Sequence, residues 1–267
     1  VGEQGSEFQR EVVIPGTLRL LGVRQGERVL DLACGQGVLS RALHEHGAQV
    51  TGVDLSAQLV EIARRRSPGG IRFLVADAAR LEGLANSSFD AVTCMLALQN
   101  MESPEGALRE AGRVLRPGGR LVLVLMHPAF RIPRQSHWGW DEERKLLYRG
   151  VDRYLTPLKV PIDVRPFRAP GQTTWTYHRP LQDYVKALAD AGLLVDALEE
   201  WASHKVSQPG PMAAAENRAR QEFPLFLAMR AVKATQSPHP ISQNIAHASD
   251  TTPTHPAAQS FKRSAPL

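Results

Sequence analysis

The residues with the clearest chemical potential are three acids and a glycine turn. In Asp31-Leu32-Ala33-Cys34-Gly35-Gln36-Gly37 an acid precedes two glycines, and glycine lets a backbone turn tightly and approach a ligand closely. Asp54 lies 17 residues past Gly37, where a carboxylate can accept from both hydroxyls of a ribose. Asp77 is placed to accept from the exocyclic amine of an adenine. Taken singly, Asp31 reads equally well as a turn residue and Asp77 as a helix cap. Their joint occurrence favours a nucleoside-type ligand.

Regular elements hold these acids at one edge. Residues 28–33 (RVLDLA) predict a buried strand, followed by the glycine turn and a helix over 38–46. Residues 49–54 form the next strand, and Ser56 caps a helix over 57–66 that stops at Pro68-Gly69-Gly70. Strands follow over 71–76 and 89–95, then a helix from Pro104 to Leu115, the turn Pro117-Gly118-Gly119 and a fifth strand over 120–126. This alternation predicts an α/β fold with a parallel sheet covered on both faces. Ligands of such sheets bind beyond the carboxyl ends of the strands, where the three acids lie.

Charge narrows the ligand. A dinucleotide fingerprint, G-x-G-x-x-G, needs glycine where Ser40 stands. Asp31 also sits where a pyrophosphate would approach, and a carboxylate repels an anion while attracting an ammonium group. S-adenosylmethionine has that ammonium, a sulfonium, a ribose for Asp54 and an adenine for Asp77. Over about residues 27–125 the segments VLDLACGQG, VTGVDLS, VADAARL, FDAVTCMLAL and LRPGGRLVLV resemble the successive motifs of class I S-adenosylmethionine-dependent methyltransferases, and most of all the small-molecule branch related to ubiquinone and menaquinone biosynthesis methyltransferases. The first glycine of the usual G-x-G-x-G is Ala33 here.

The resemblance implies a Rossmann-like doubly wound seven-stranded sheet, mostly parallel with the last strand antiparallel. It places Asp31, Ala33, Gly35 and Gly37 around the methionine part, Asp54 on the ribose, Leu55 against the adenine, and Asp77 and Ala78 beside the adenine amine. Cys94 and Met95, at the end of the fourth strand, would face the cofactor. The segment around Phe8 and Arg10, a helical stretch ended by Pro15, would fold over it.

The alternation lapses over 127–177, a stretch holding Trp138, Trp140, Tyr148, Tyr154, Phe167 and Trp175. A connection longer than ~12–15 residues is commonly a functional lid, so an aromatic lid insertion over about 128–177 is expected above the ligand. Its tryptophans are either walls for an apolar or aromatic acceptor or the lid's own core. Three residues are candidate bases: His127 at the end of the fifth strand, and Tyr177 and His178 after the aromatic stretch. Each has a plain structural reading too, as a hydrogen-bonded histidine or a lid anchor. Helical patterning over 181–191 and strands over 193–199 and 225–232 complete a domain of residues 1–233. Residues 234–267 turn to Ser, Thr, Pro, His, Gln and Ala and are expected to be a disordered tail.

Composition bounds the rest. With 43% hydrophobic and 22% charged residues the chain is an ordinary globular one. The excess of 32 Lys+Arg over 27 Asp+Glu is small and scattered, and its densest cluster, Arg64-Arg65-Arg66, complements a helix C-terminus. The insertion is aromatic rather than basic, so no nucleic-acid partner is expected. No Asn-Pro-Pro-Tyr follows the fourth strand, which disfavours methylation of DNA adenine. No apolar run approaches the ~20 residues of a membrane span and no signal peptide is visible. Cys34 and Cys94 lack metal-ligand spacing and suit a reduced, cytoplasmic setting, with no metal expected. The expected function is methyl transfer from S-adenosylmethionine to an oxygen, nitrogen or carbon of a small acceptor. A nucleotide-dependent oxidoreductase and a non-catalytic cofactor-binding or RNA-associated protein are the alternatives.

Overall fold

The structure, a computed structural model, describes residues 2–162 and 174–235. Phe167 and the expected tail from residue 236 onward lie outside the described residues. A π-helical turn, Gln9–Val13, runs directly into α1 (Ile14–Leu21). Pro15 therefore does not end the helical stretch as expected. It lies in the first turn of α1, where a missing N–H costs least.

The alternating region follows as β1 (Arg28–Leu32), α2 (Val38–Glu45), β2 (Gln49–Asp54), α3 (Ala57–Arg66), β3 (Arg72–Val75), β4 (Phe89–Met95), α4 (Pro104–Val114) and β5 (Leu115–Met126). Ser56 caps α3 as expected, its hydroxyl accepting from the Leu59 N–H at 3.3 Å. β5 begins five residues earlier than the expected start at Arg120, because Leu115, before the Pro-Gly-Gly turn, already pairs with Phe89. The insertion is two antiparallel hairpins: β6 (Ser136–Asp141) with β7 (Leu146–Val151), and β8 (Leu158–Ile162) with β9 (Thr174–His178). Then come α5 (Leu181–Asp190), β10 (Leu193–Trp201), α6 (Ala213–Glu222) and β11 (Phe226–Lys233).

The main sheet has seven strands in the order β10-β11-β5-β4-β1-β2-β3. β1 to β5 are mutually parallel, and β11 slots between β5 and β10, antiparallel to both. Because successive side chains of a strand face opposite sides, each strand feeds two cores. Leu30, Leu32, Val92, Cys94, Leu121, Leu123 and Leu125 pack on the side that holds Leu108 of α4 and Leu188 of α5. Val29, Val50, Ala91, Val122 and Val124 pack on the side of α1 and α2. The same alternation turns Asp31, Thr93 and Met95 toward α2 and away from Cys94.

Candidate active site

Asp31 is the only carboxylate among the described buried residues, at 1% exposure. Ser40 of α2 donates its hydroxyl to Oδ2 at 2.6 Å, and Thr93 of β4 donates to Oδ1 at 3.1 Å. Burial pushes the Asp31 carboxyl up to about 6; the two hydroxyls oppose the shift, and nearby Asp54 adds to it. A buried acid so poised gains most from a cation beside it. Asp54, at the end of β2, accepts from the Gly35 N–H at 2.8 Å on Oδ2 and from the Ser56 N–H at 2.9 Å on Oδ1. Each of its oxygens keeps a second acceptor site for a hydroxyl.

These acids line a cavity of about 370 Å³ at the carboxyl ends of β1, β2 and β4, within the ~300–1,000 Å³ usual for small-molecule sites. The glycine turn forms its wall. Gly35 has φ 55°, and a Cβ built there meets nothing within 4 Å, so the backbone is left bare to a ligand. Gly37 has φ 77° and packs against α3 and β3, its would-be Cβ 3.0 Å from Phe73 and 3.1 Å from Ala63. Ala33 holds a left-handed φ of 55°, as does Leu96 after β4. For a residue with a Cβ this conformation costs ~1–2 kcal/mol, and strained backbone of this kind gathers at ligand sites.

Of the ten candidate cofactor residues, Asp31, Ala33, Gly35, Asp54 and Met95 line this cavity. Gly37 supports it from behind. Leu55 is 72% exposed outside the lining, and Ala78 lies in the core. Asp77 is exposed, with Oδ1 accepting from the Ala79 N–H at 2.9 Å, the bond of a turn-stabilising aspartate. Cys94 is corrected by the strand pleat: it is buried on the opposite face, where burial pushes its thiol up to about 12. The half-buried Cys34 does line the cavity, with a thiol pushed up by burial and by the two acids, so it is not poised as a nucleophile.

Sequence reasoning missed Gln9, Gln36, Leu96 and Asn100 in the lining. The N-terminal segment contributes Gln9 to the lining of this cavity. It is tied down where Gln36 Nε2 donates to the Gly2 carbonyl at 3.0 Å and Arg41 donates to the Glu3 carbonyl at 2.6 Å. Arg10 instead reaches back to the Gly5 carbonyl at 3.1 Å, and Phe8 borders a neighbouring apolar cavity together with Trp138, Phe223 and Phe226.

A second cavity, of about 500 Å³, shares the lining residue Asn100 with the first. All three candidate bases border it. The Nδ1 of His127 accepts from the N–H groups of Ala129 at 3.2 Å and Phe130 at 3.3 Å, so the ring proton sits on Nε2 and is donated to Glu200 at 2.6 Å. With both nitrogens engaged, and the imidazole pushed down by burial against the opposing pull of Glu200, His127 is bonded as a structural histidine. His178 donates from Nε2 to the Tyr154 carbonyl at 2.6 Å, and among the described residues nothing engages its Nδ1. Tyr177 lies between the cations of Arg179, 5.1 Å from its ring, and Lys159, 5.4 Å away.

None of the insertion's tryptophans, Trp138, Trp140 and Trp175, is in the described lining of this second cavity. Trp140 is turned onto Glu142, and Trp175 is stacked under Lys159 at 5.0 Å. Four arginines line the wall instead: Arg131, Arg134, Arg149 and Arg179.

A methyltransferase domain model matches residues 30–123. The S-adenosylmethionine dependent methyltransferase from Mesorhizobium loti has a solved structure that aligns at a TM-score of 0.65 and 30% identity, over 86% of this chain and 100% of that one. Demethylmenaquinone methyltransferase from Beutenbergia cavernae is 38% identical over 56% of this chain and 58% of its own length. Ubiquinone biosynthesis O-methyltransferase from Xanthomonas oryzae is 36% identical over 50% of this chain and 57% of its own. The chain thus spans under two thirds of these two curated relatives. It belongs to the S-adenosylmethionine-dependent methyltransferases. Among its described residues no helix is long and apolar enough to cross a membrane.

Proposed function

We propose that the chain transfers the methyl group of S-adenosylmethionine to a small organic acceptor held in the second cavity. The observation that carries the reading is that a cavity walled by Asp31 and Asp54 and one bordered by the inserted strands share Asn100. Asp31 supplies the negative charge for the cofactor's ammonium, and Asp54 the acceptor oxygens for its ribose. Bound there, the cofactor supplies an electrophilic methyl on a sulfonium leaving group. What the chain adds is alignment: holding an acceptor in line with that methyl turns an encounter into a positioned displacement, worth up to ~7–11 kcal/mol of the barrier.

For an acceptor that must lose a proton, His178 is the base the geometry favours. Its Nε2–H is fixed by a backbone carbonyl, which sets the tautomer and leaves the Nδ1 lone pair as the proton acceptor. Tyr177 and His127 would serve as walls. The relatives named for demethylmenaquinone and for ubiquinone biosynthesis support a small-molecule acceptor. The domain model ends at residue 123, before most of the residues that line the second cavity. Free thiols at Cys34 and Cys94 suit a cytoplasmic setting.

Calorimetric titration with S-adenosylmethionine, S-adenosylhomocysteine and a dinucleotide control tests the reading. Binding of the first two alone is the expected result. Binding of the dinucleotide in their place would return the oxidoreductase reading.

A further inference from the structure

Among the described residues, the four arginines of the second cavity have no carboxylate to answer them. Elsewhere in the chain several part-buried arginines meet an acid: Arg120 meets Glu27 at 2.7 Å, Arg113 meets Glu110 at 2.8 Å and Arg230 meets Asp196 at 2.9 Å. In the cavity, Arg149 donates to the Phe130 carbonyl at 2.8 Å and to the Ser136 hydroxyl at 2.6 Å, and lies 5.1 Å over the Trp138 ring. Arg179 donates from Nη2 to the carbonyls of Met101 and Glu102, at 3.0 and 2.6 Å, while its Nη1 is buried without a partner. Carbonyls orient a guanidinium but do not neutralise it. Arg131 and Arg134 make no side-chain hydrogen bond or ion pair among the described residues, and Arg134 holds a left-handed φ of 62°. Arg131 is close enough to Arg149 that their like charges add to the effect of burial in pushing the Arg149 guanidinium down.

No Asp or Glu is among the described lining residues. Two acids that approach from the surroundings are engaged by other cations or donors: Glu200 accepts a hydrogen bond from His127 Nε2, and Glu102 pairs with Lys159 at 3.0 Å. Gathering four cations around one cavity is repulsive in a medium of reduced dielectric. An incoming oxyanion reverses that sign, and guanidinium forks match the paired oxygens of a carboxylate or a phosphate.

We infer that the acceptor is an anion, bearing a carboxylate or phosphate group that Arg131, Arg134, Arg149 and Arg179 hold. This rests on the methyl-transfer reading for the word acceptor, but the anion site stands on its own observations. The apolar cavity bordered by Trp138, Phe223 and Phe226 shares Arg131 with it, which gives the same molecule room for an apolar body next to its charged group.

The test is calorimetry on the full chain at low ionic strength, with and without S-adenosylhomocysteine. The probes are benzoate, benzamide, which has the same shape without the charge, and inorganic phosphate. At least one anion should bind, with benzamide tenfold or more weaker than benzoate. Benzoate binding alone assigns a carboxylate, and phosphate binding alone a phosphoryl group. The double variant Arg131→Gln/Arg134→Gln removes two side chains that hold nothing else in place. It should lose tenfold or more in anion affinity while its affinity for S-adenosylhomocysteine reports an intact fold. Benzamide binding as tightly as benzoate, anion affinity undiminished in the double variant, or no binding of either anion would overturn the inference. Anion binding without S-adenosylhomocysteine binding would uphold the anion site and remove the methyl-transfer reading instead.

Discussion

The two cavities that share Asn100 carry opposite charge. Among the described lining residues, Asp31 and Asp54 stand on one side with no basic residue, and four arginines stand on the other with no acid. The difference separates the ligands by sign. A pyrophosphate is repelled from the first cavity and a cationic acceptor from the second, so neither can occupy the wrong side at low cost. Their construction differs as well. The acidic side chains are fixed by short hydrogen bonds from Ser40, Thr93, Gly35 and Ser56, whereas Arg131 and Arg134 are exposed and held by nothing described. The acidic side is organised by the chain itself; the basic side is so organised only at Arg149 and Arg179.

The largest effect that would break this contrast is at the ribose. Asp54→Ala should weaken S-adenosylhomocysteine binding by about 1–3 kcal/mol, through loss of charged hydrogen bonds, and leave benzoate affinity alone. Unchanged cofactor affinity in the titration would sink the ribose assignment. Next comes pH. The folded Asp31 carboxyl, near 6, lies above its ordinary 3.8, so the folded state holds that proton more tightly than the unfolded chain does. Its stabilising contribution is present below the ordinary value and lost as pH rises through the folded one. Cofactor binding runs the other way, because the ammonium needs the ionised acid. Affinity should fall as pH drops below about 6, approaching roughly tenfold per unit. Asp31→Asn should flatten that slope, and a slope that survives the substitution points to another group.

The smallest effect concerns backbone strain. Ala33→Gly relieves a left-handed alanine at ~1–2 kcal/mol against the ~0.5–1 kcal/mol entropic penalty of glycine. A net gain of about 0.5–1 kcal/mol in denaturant unfolding is expected from these opposing terms. A loss would mean that the Ala33 methyl packs more strongly than its conformation costs.

The acidic half of the site was largely legible because it is local. Asp31 and Gly35 stand four residues apart in one turn, and Asp54 ends the next strand, so strand and turn patterns place them together. Cys94 was misplaced beside Met95 although consecutive strand residues cannot share a face; the pleat alone would have separated them. The basic half had no local signature. Arg131 and Arg134 precede β6, Arg149 lies on β7 and Arg179 follows β9, and only the folding of two hairpins over the sheet brings them to one cavity. Among the tryptophans, which marked the insertion so plainly in sequence, Trp138 alone borders the neighbouring apolar cavity. Bulk in a sequence shows that a segment is ordered, not which way its side chains turn.

The position of β11 sets an order of assembly. The acidic cavity is walled entirely by residues between Gln9 and Met101, so its parts have all been made before β5 is translated. The strand that flanks β5 comes last in the sheet: Phe226 pairs with Met126, and the His127 N–H donates to the Leu225 carbonyl at 2.8 Å. Until about a hundred further residues have been synthesised, β5 is an open edge, exposed to pairing with other chains. On the ribosome the nascent protein therefore passes through a stage in which its acidic cavity has its described wall residues and its sheet is unfinished.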